Sequence, residues 1–384
     1  MVFLYYILLS ILYILSLPFL LILSFTKDKY RQSIKARFFL YKNKLKKSDI
    51  HFHVCSFGEA RSIKKLSSNF EDKRITCITQ TGFLEAKTFC KNVSFLAFEI
   101  FIPFWFSPCK VLVIFEAELW LMLIFVAKLR GAKVILLNAR LSDKSFHRYK
   151  RFSFFYKTLF SYIDEVFAQS ALDKQRLEEL GAKNVIEYFN IKAALSSTVQ
   201  KIYKKVDKKI ILFASTHDKE EELLLNFFKP RKDEILIIAP RHPERFEKVE
   251  EFCKDYSKKY ALSFDKFSNY GENFNSDKLS SVFLLDTLNE LVNFYSIADI
   301  VVLCGSFIKG VGGHNPIEVA QFNKILISGP YIHNQVSLFS MLDNAYICYD
   351  IPKLREFIDT CDKAVSLKFK PNLNLITDHI KALL

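Results

Sequence analysis

The chain has 384 residues, a formal charge of +14 at pH 7, apolar side chains at 50% of positions and 39 Phe. That length suits two domains, each burying its own core, better than one. The 8 cysteines are scattered with no C-x-x-C pair, which excludes a zinc ribbon or a disulfide framework and fits a reducing cytosol.

Residues 1–25, MVFLYYILLSILYILSLPFLLILSF, carry no charged side chain. As a helix they would extend about 37 Å, enough to span hydrocarbon. Basic residues before the run and a small-residue cleavage site after it are both missing, so the segment reads as an anchor and not as a cleaved leader. Pro18 would kink it or leave it re-entrant. The next segment, 26–48, reads as a basic amphipathic juxtamembrane element: residues 27–47 hold nine Lys or Arg against Asp28, so +8 of the +14 sits there. The positive-inside rule puts everything after the anchor in the cytoplasm. Tyr30, Ile34, Phe38, Tyr41 and Leu45 recur at helical spacing, and the bases on the other faces suit an anionic leaflet or solvent equally. Because the excess charge lies beside the anchor, no nucleic-acid partner is expected.

Residues 49–193 alternate short β-rich runs (51–55, 75–79, 110–115, 134–138, 166–169) with helix-like segments, the pattern of a parallel sheet covered on both faces. Residues 194–209 read as a polar linker. A second alternation (210–214, 235–239, 282–285, 300–304, 325–328) builds another such domain over 210–365, with 258–281 as a surface excursion. Residues 366–384 read as a C-terminal helix able to cross back to the first domain. The fold class is α/β, with two doubly wound domains facing a cleft and ligands expected at the carboxyl ends of their strands.

The chemistry-bearing residues gather at those strand ends. Ser56-Phe-Gly-Glu59 follows the first strand and spaces as a capping box, yet Gly58 inside a helix start costs about 1 kcal/mol, which favours a functional Glu59 whose backbone something approaches. Phe115-Glu-Ala-Glu-Leu-Trp120 sets Glu116 and Glu118 at another strand end, where the helix dipole and catalysis explain carboxylates about equally. Thr79-Gln-Thr-Gly82 reads as a turn with hydroxyls to spare. In the second half, Gly305 to Gly313 hold four of the ten glycines directly after a strand. This is the arrangement that presents backbone N–H groups to phosphate. The helix that follows is marked by Asn315, Pro316 and Glu318, which serve capping as well. Ala214-Ser-Thr-His217 and Pro240-Arg-His-Pro243 end two further strands, and Arg241 offers a fixed cation to a nucleotide. Thr287 to Glu290 spaces as one more capping box.

In chain order, SFGEARS, TQTG, EAELW, NARLSDKS, AQSALDKQRLEELGA, ASTH, PRHPERF, DTLNEL, GGHNPIE and the Gly329-Pro330 pair resemble the bacterial 3-deoxy-D-manno-octulosonic acid (Kdo) transferases of lipopolysaccharide assembly. The resemblance covers most of the chain after the anchor. It implies a GT-B fold of two Rossmann-like domains and an inverting transfer of Kdo from CMP-Kdo to a lipid A precursor, at the inner membrane on its cytoplasmic face and beside anionic lipid. Glu59 then looks like the general base, with Glu118, or else Glu116, as a second essential carboxylate. The donor site would comprise Ser215, Thr216, Arg241, His242, Asn289, Glu290, Gly305, Ser306, Gly312, Gly313, Asn315 and Glu318. Ser56, Gly58, Arg61, Thr81, Arg140 and Lys192 would meet the acceptor or Kdo. No metal and no other cofactor is implied, because a CMP leaving group carries a single phosphate. Two positions depart from the family pattern: Leu121 stands where proline is usual and Asn289 where glycine is usual, and Asn tolerates a left-handed backbone. The alternatives are a GT-B enzyme using a UDP-sugar on another lipid-linked acceptor, and a non-catalytic membrane-anchored protein that binds nucleotide or lipid.

Overall fold

The structure of the protein is a computed structural model that describes residues 1–38, 42–195 and 197–384; the side chains of residues 28 and 29 also lie outside that description. The chain divides into two compact units, Met1–Leu195 with Pro371–Leu384, and Ser196–Lys370.

The first unit is built on seven parallel strands: β1 (Ile50–His53), β2 (Lys73–Cys77), β3 (Val93–Phe95), β4 (Val111–Phe115), β5 (Lys133–Ala139), β6 (Glu165–Ala168) and β7 (Val185–Glu187). Their order is β3-β2-β1-β4-β5-β6-β7. The chain steps outward from β1 on one side and resumes at β4 on the other. The carboxyl ends of β1 and β4 therefore flank the reversal point, where open sheets of this kind bind ligands. β4 is buried along its whole length, which is why Val-Leu-Val-Ile-Phe reads as an unbroken apolar run.

The turn after β1 is set by two capped helices. Ser56 Oγ accepts from Glu59 N at the start of α3 (Phe57–Ser67), and Thr79 Oγ1 accepts from Gly82 N at the start of α4 (Gln80–Lys87). Thr79 also donates to Cys55 O, through its N at 3.0 Å and its Oγ1 at 2.9 Å. A Cβ at Gly82 would fall 2.9 Å from Cys55 O and from Ser56 C, so only glycine lets α4 press on this turn. The Thr-Gln-Thr-Gly segment is thus a buttress beneath Ser56. At Gly58, by contrast, nothing among the described residues beyond its chain neighbours and its own helix backbone lies within 4 Å of where a Cβ would stand.

α1 (Val2–Thr26) is long and apolar enough to cross a membrane, with a mean hydropathy of 2.5 and 6% of that window buried. Pro18 sits inside it without ending it. One face docks on the unit: Tyr5 Oη donates to Glu99 Oε2 (2.6 Å), Tyr6 Oη donates to Ile100 O (2.8 Å), and the Tyr13 ring packs 5.5 Å from Phe98 and 5.4 Å from Phe101. α2 (Asp28–Phe38) follows. The helical stripe expected to run through Leu45 stops with it, and Tyr41 lies outside the described residues. Leu45 is buried from an extended strap in which Asn43 exchanges hydrogen bonds with the Phe95 backbone at 2.8 and 2.9 Å.

The second unit has a parallel sheet of β8 (Lys209–Thr216), β9 (Glu234–Pro240), β10 (Phe264–Lys266), β11 (Val282–Leu284), β12 (Ile300–Leu303), β13 (Ile325–Ser328) and β14 (Ala345–Ile347), ordered β10-β11-β9-β8-β12-β13-β14. Here two expectations are corrected. The 258–281 stretch supplies edge strand β10 and the buried Phe267 and Phe274 instead of a surface excursion. Tyr203, read as linker, is buried against Phe274 (5.0 Å) and donates to Glu290 Oε2 (2.8 Å). Scattered aromatics among polar residues carry no period, so neither stretch looked like core. The C-terminal helix Asn374–Ala382 buries Ile376 and Ile380 in the core of the first unit, and His379 pairs with Glu165.

These glycine contacts predict opposite outcomes for two alanine substitutions. Gly82→Ala should destabilise by roughly 1–3 kcal/mol through overpacking. Gly58→Ala, in open space on a helix, should stabilise by about 0.5–1 kcal/mol. Thermal unfolding of the full chain in detergent compares the two.

Candidate active site

Three carboxylates meet at the ends of β1 and β4. Glu59, in the first turn of α3, accepts from Cys55 N (Oε2, 2.8 Å) and from Ser56 Oγ (Oε1, 2.9 Å), so the capping box is formed. This does not make Glu59 an ordinary cap. Burial pushes its pKa up to about 7; the Cys55 N–H opposes that rise, and the charges of Glu116 and Glu118 add to it. Glu118 accepts from Trp120 Nε1 at 2.8 Å, and burial raises its pKa as well. Cys55 is a thiol, held up to about 12 by burial and then by Glu118 and Glu59.

The two acids after β4 have different partners. Glu116 adopts φ +57°, a left-handed backbone that costs a non-glycine residue energy and marks a constrained turn. Its Oε1 pairs with Lys192 Nζ at 2.7 Å and accepts from Asn138 Nδ2 at 3.3 Å. Glu118 turns toward Glu59, Cys55 and β1, where His53 Nε2 lies 3.9 Å from its Oε2. Cys55, Glu59 and Glu118 are the set among the described residues whose ligand-type atoms converge, all within 4.8 Å. A thiol that keeps its proton is a weak contributor to such a set.

Beside Trp120 an apolar slot of about 220 Å³ opens between α1 and the unit, lined by Leu9, Leu12, Tyr13, Phe98 and the Arg37 side chain among others. The Arg37 guanidinium lies 4.3 Å from the Phe98 ring, and its Nε has no hydrogen-bond partner among the described residues.

In the second unit the ends of β8 and β9 meet the glycine-rich loop after β12. His217 and His314 stack at 5.1 Å with a hydrogen bond of 2.9 Å between their Nε2 atoms, and His242 packs edge-on to His217 at 5.2 Å. His314 is pushed down to about 3 by burial, with Arg241 and His217 adding to the shift, so the ring is neutral. Arg241 and His242 are exposed. Ser215 takes φ +60° and Asn289 takes φ +67°, so the asparagine adopts the left-handed backbone for which glycine is usual.

The amides after β12 correct an expectation. They were to present open N–H groups to phosphate, yet Gly305 N (2.7 Å), Ser306 N (3.2 Å) and Phe307 N (3.0 Å) all donate to the Glu220 carboxylate, which also accepts from His217 N (3.0 Å). Glu220 opens α5 (Glu220–Leu225) and is fully buried. Its neighbour Glu221 accepts from Thr216 Oγ1 (2.6 Å) and binds Arg245 through both oxygens at 2.8 Å. Gly312 and Gly313 have φ +90° and +82°. Asn315 Oδ1 accepts from Ile317 N at 3.0 Å, the helix-start role anticipated for it, while Glu318 sits half-buried in the next turn. The Thr287 to Glu290 capping box does not form: Glu290 instead accepts from Tyr203 and Asn293 and pairs with Lys201.

The comparisons with known proteins fall on this geometry. Residues 32–195 match the family described as 3-deoxy-D-manno-octulosonic-acid transferase (kdotransferase). The 3-deoxy-D-manno-octulosonic acid transferase of Haemophilus influenzae is 31% identical over 357 residues, 85% of this chain and 82% of that protein. The chain belongs to the Kdo transferase family. A bifunctional glycosyltransferase/methyltransferase of Fusobacterium nucleatum is 29% identical over 87% of this chain, which spans 55% of that longer protein. The solved UDP-GlcNAc 2-epimerase of Neisseria meningitidis shares the fold, with a TM-score of 0.55 over 87% of this chain and 98% of that one at 10% identity.

Among the residues anticipated for the acceptor side, Ser56 and Lys192 touch the carboxylate cluster directly. Gly58, Arg61 and Thr81 are exposed at the starts of α3 and α4, and Arg140 is half-buried near Asp173. His53, Cys55, Trp120, Glu220, Glu221, Arg245 and His314 were missed as site residues. For His53 a signal existed: His51, His53, Arg74 and Thr76 are polar intrusions in strands otherwise apolar.

The raised pKa of Glu59 has a stability consequence with a definite sign. The native state holds this proton more tightly than the unfolded state, so stability is lost as pH rises from about 4.5 toward about 7. Glu59→Gln keeps an oxygen for Cys55 N without the charge. Its melting temperature should match wild type at pH 4 and exceed it by several degrees at pH 8, as measured by thermal unfolding.

Proposed function

We propose that this Kdo transferase moves Kdo from CMP-Kdo to a hydroxyl of a lipid A precursor (lipid IVA), with inversion at the anomeric carbon. Glu59 takes the proton of the acceptor hydroxyl as its oxygen bonds to that carbon, and the bond to the CMP phosphate breaks with its electron pair leaving on CMP. The observation that carries this reading is a half-buried carboxylate with a pKa of about 7 at the reversal point of the sheet. A general base works best with a pKa near the operating pH and contributes about a hundred- to ten-thousand-fold. Glu118 is the second carboxylate, because Glu116 is already neutralised by Lys192.

CMP-Kdo belongs to the loops after β8, β9 and β12. With the Gly305 to Phe307 amides closed on Glu220, the phosphate charge falls to the exposed Arg241 guanidinium, near the neutral His314 imidazole. A single departing phosphate is handled by such donors without a metal or another cofactor. The slot beside Trp120 suits an acyl chain of the acceptor, with the Arg37 cation in its wall. α1 and the basic residues that follow it hold the enzyme on the anionic inner membrane, with both units on the cytoplasmic side.

Two experiments test this. CMP-Kdo generated in situ and a tetraacylated lipid A precursor are incubated with purified enzyme, and products are read by mass. Wild type should add one or more Kdo increments, and Glu59→Gln should fall by at least about a hundredfold while still binding CMP; a wild type that binds CMP and yields no increment contradicts the assigned acceptor or donor. Leu12→Trp, which fills the slot, should raise KM for the lipid acceptor several-fold and leave KM for CMP-Kdo unchanged.

A further inference from the structure

We propose that His53 is a positioning residue for Glu118, held as its Nε2-protonated tautomer by a buried row of hydrogen bonds that begins at Arg74. The inference rests on the reading that Glu59 is the base for the acceptor hydroxyl and that Glu118 is the second essential carboxylate beside it, needed in its ionised form.

Arg74 is 1% exposed and is fixed by donating to Lys46 O (Nη1, 2.7 Å) and Ser107 O (Nη2, 2.5 Å). A guanidinium only donates, so the 3.3 Å contact from its Nη2 makes His51 Nδ1 an acceptor. Burial and the Arg74 charge keep His51 neutral, which leaves its proton on Nε2. That N–H donates to Thr76 Oγ1 at 2.8 Å, and the Thr76 hydroxyl hydrogen is then free to donate to His53 Nδ1 at 2.9 Å. With the hydroxyl donating to Nδ1 the proton of His53 is on Nε2; the Thr76 backbone, which also approaches the ring, is the acceptor that an Nδ1–H tautomer would use instead. His53 Nε2 is buried, has no hydrogen-bond partner among the described residues, and stands 3.9 Å from Glu118 Oε2.

A buried N–H without a partner is costly, and catalytic hydrogen bonds often lengthen in the unliganded enzyme and close with substrate. An acceptor within closing distance of this one is the carboxylate that already accepts from Trp120 Nε1. Burial pushes His53 down to about 3, so it supplies a donor and not a charge. The other ionisable neighbours are Arg37 of α2 on the His53 side, and Cys55, Glu59 and the Lys192-paired Glu116 on the Glu118 side. Closing the His53 N–H on Oε2 favours ionised Glu118 beside ionised Glu59 and fixes the plane of its carboxylate. Transfer requires both carboxylates ionised. Without the donor the doubly ionised form is harder to reach, so the acidic limb of activity moves to higher pH.

The test uses the full chain and the variants His53→Leu, Thr76→Val and Thr76→Ser, with kcat and KM for CMP-Kdo measured from pH 5 to 9. His53→Leu should lower kcat roughly tenfold, the worth of one hydrogen bond to a charged group, and raise the acidic limb by about half a pH unit or more, with KM for CMP-Kdo within about twofold. Thr76→Val, which cuts the row, should do the same, and Thr76→Ser should restore the wild-type profile. Nitrogen-15 spectra of histidine-labelled wild type should show the Nε2–H tautomer for His53. An Nδ1–H resonance, or variants that lose thermal stability with an unmoved acidic limb, overturns the proposal. The spectrum decides it even if wild type fails to transfer Kdo, an outcome that would instead count against the functional reading.

Discussion

Everything at this site depends on how the first turn of α3 buries Glu59. The Ser56 hydroxyl and the Cys55 N–H hold both oxygens of the carboxylate in place, and the buttress of α4 against Cys55 keeps that turn in position. The same enclosure removes water from a carboxylate and sets it beside two others. Cap and base are therefore one arrangement: the contacts that orient Glu59 are too few to offset its desolvation, and the residual affinity for a proton is what general-base chemistry needs.

The sheet order explains why the second acid arrives at the same place. β1 and β4 are hydrogen-bonded neighbours, His53 pairing with Ile114 although far apart in sequence, so the turns following them share one end of the sheet. The left-handed backbone at Glu116 then sends two consecutive acids to different partners, one to Lys192 and one toward Glu59. Without Lys192 three carboxylates would crowd one dry corner. With it, the charges of Glu116 and Glu118 add to a rise in Glu59 that comes first from burial.

Much of this was legible in the sequence, for a physical reason. Strands of a parallel sheet are covered on both faces, so runs such as Val111 to Phe115 stand out as apolar blocks, and the alternation with helices follows from them. Ser56 to Glu59 was also visible as a spacing. Whether Glu59 caps or catalyses was not, because the two roles use the same bonds and differ only in burial. Glu220 was invisible for the opposite reason. In Asp-Lys-Glu-Glu-Glu it looks like a solvated helix start, and only the fold shows that two of three consecutive acids turn inward, Glu220 closing the amides after β12 and Glu221 holding Arg245. Tyr203, Phe267 and Phe274 form part of a core without a period, so their segments passed for linker and excursion.

The central claim is that Glu59, titrating near neutrality, removes the acceptor proton. The most direct measurement is the single-turnover rate of Kdo transfer as a function of pH, for wild type and for Glu59→Gln at matched saturation. The account predicts an acidic limb near pH 7 in wild type and a residual rate in the variant that no longer follows it. A limb near pH 4.5, or the same limb persisting in Glu59→Gln, would contradict it.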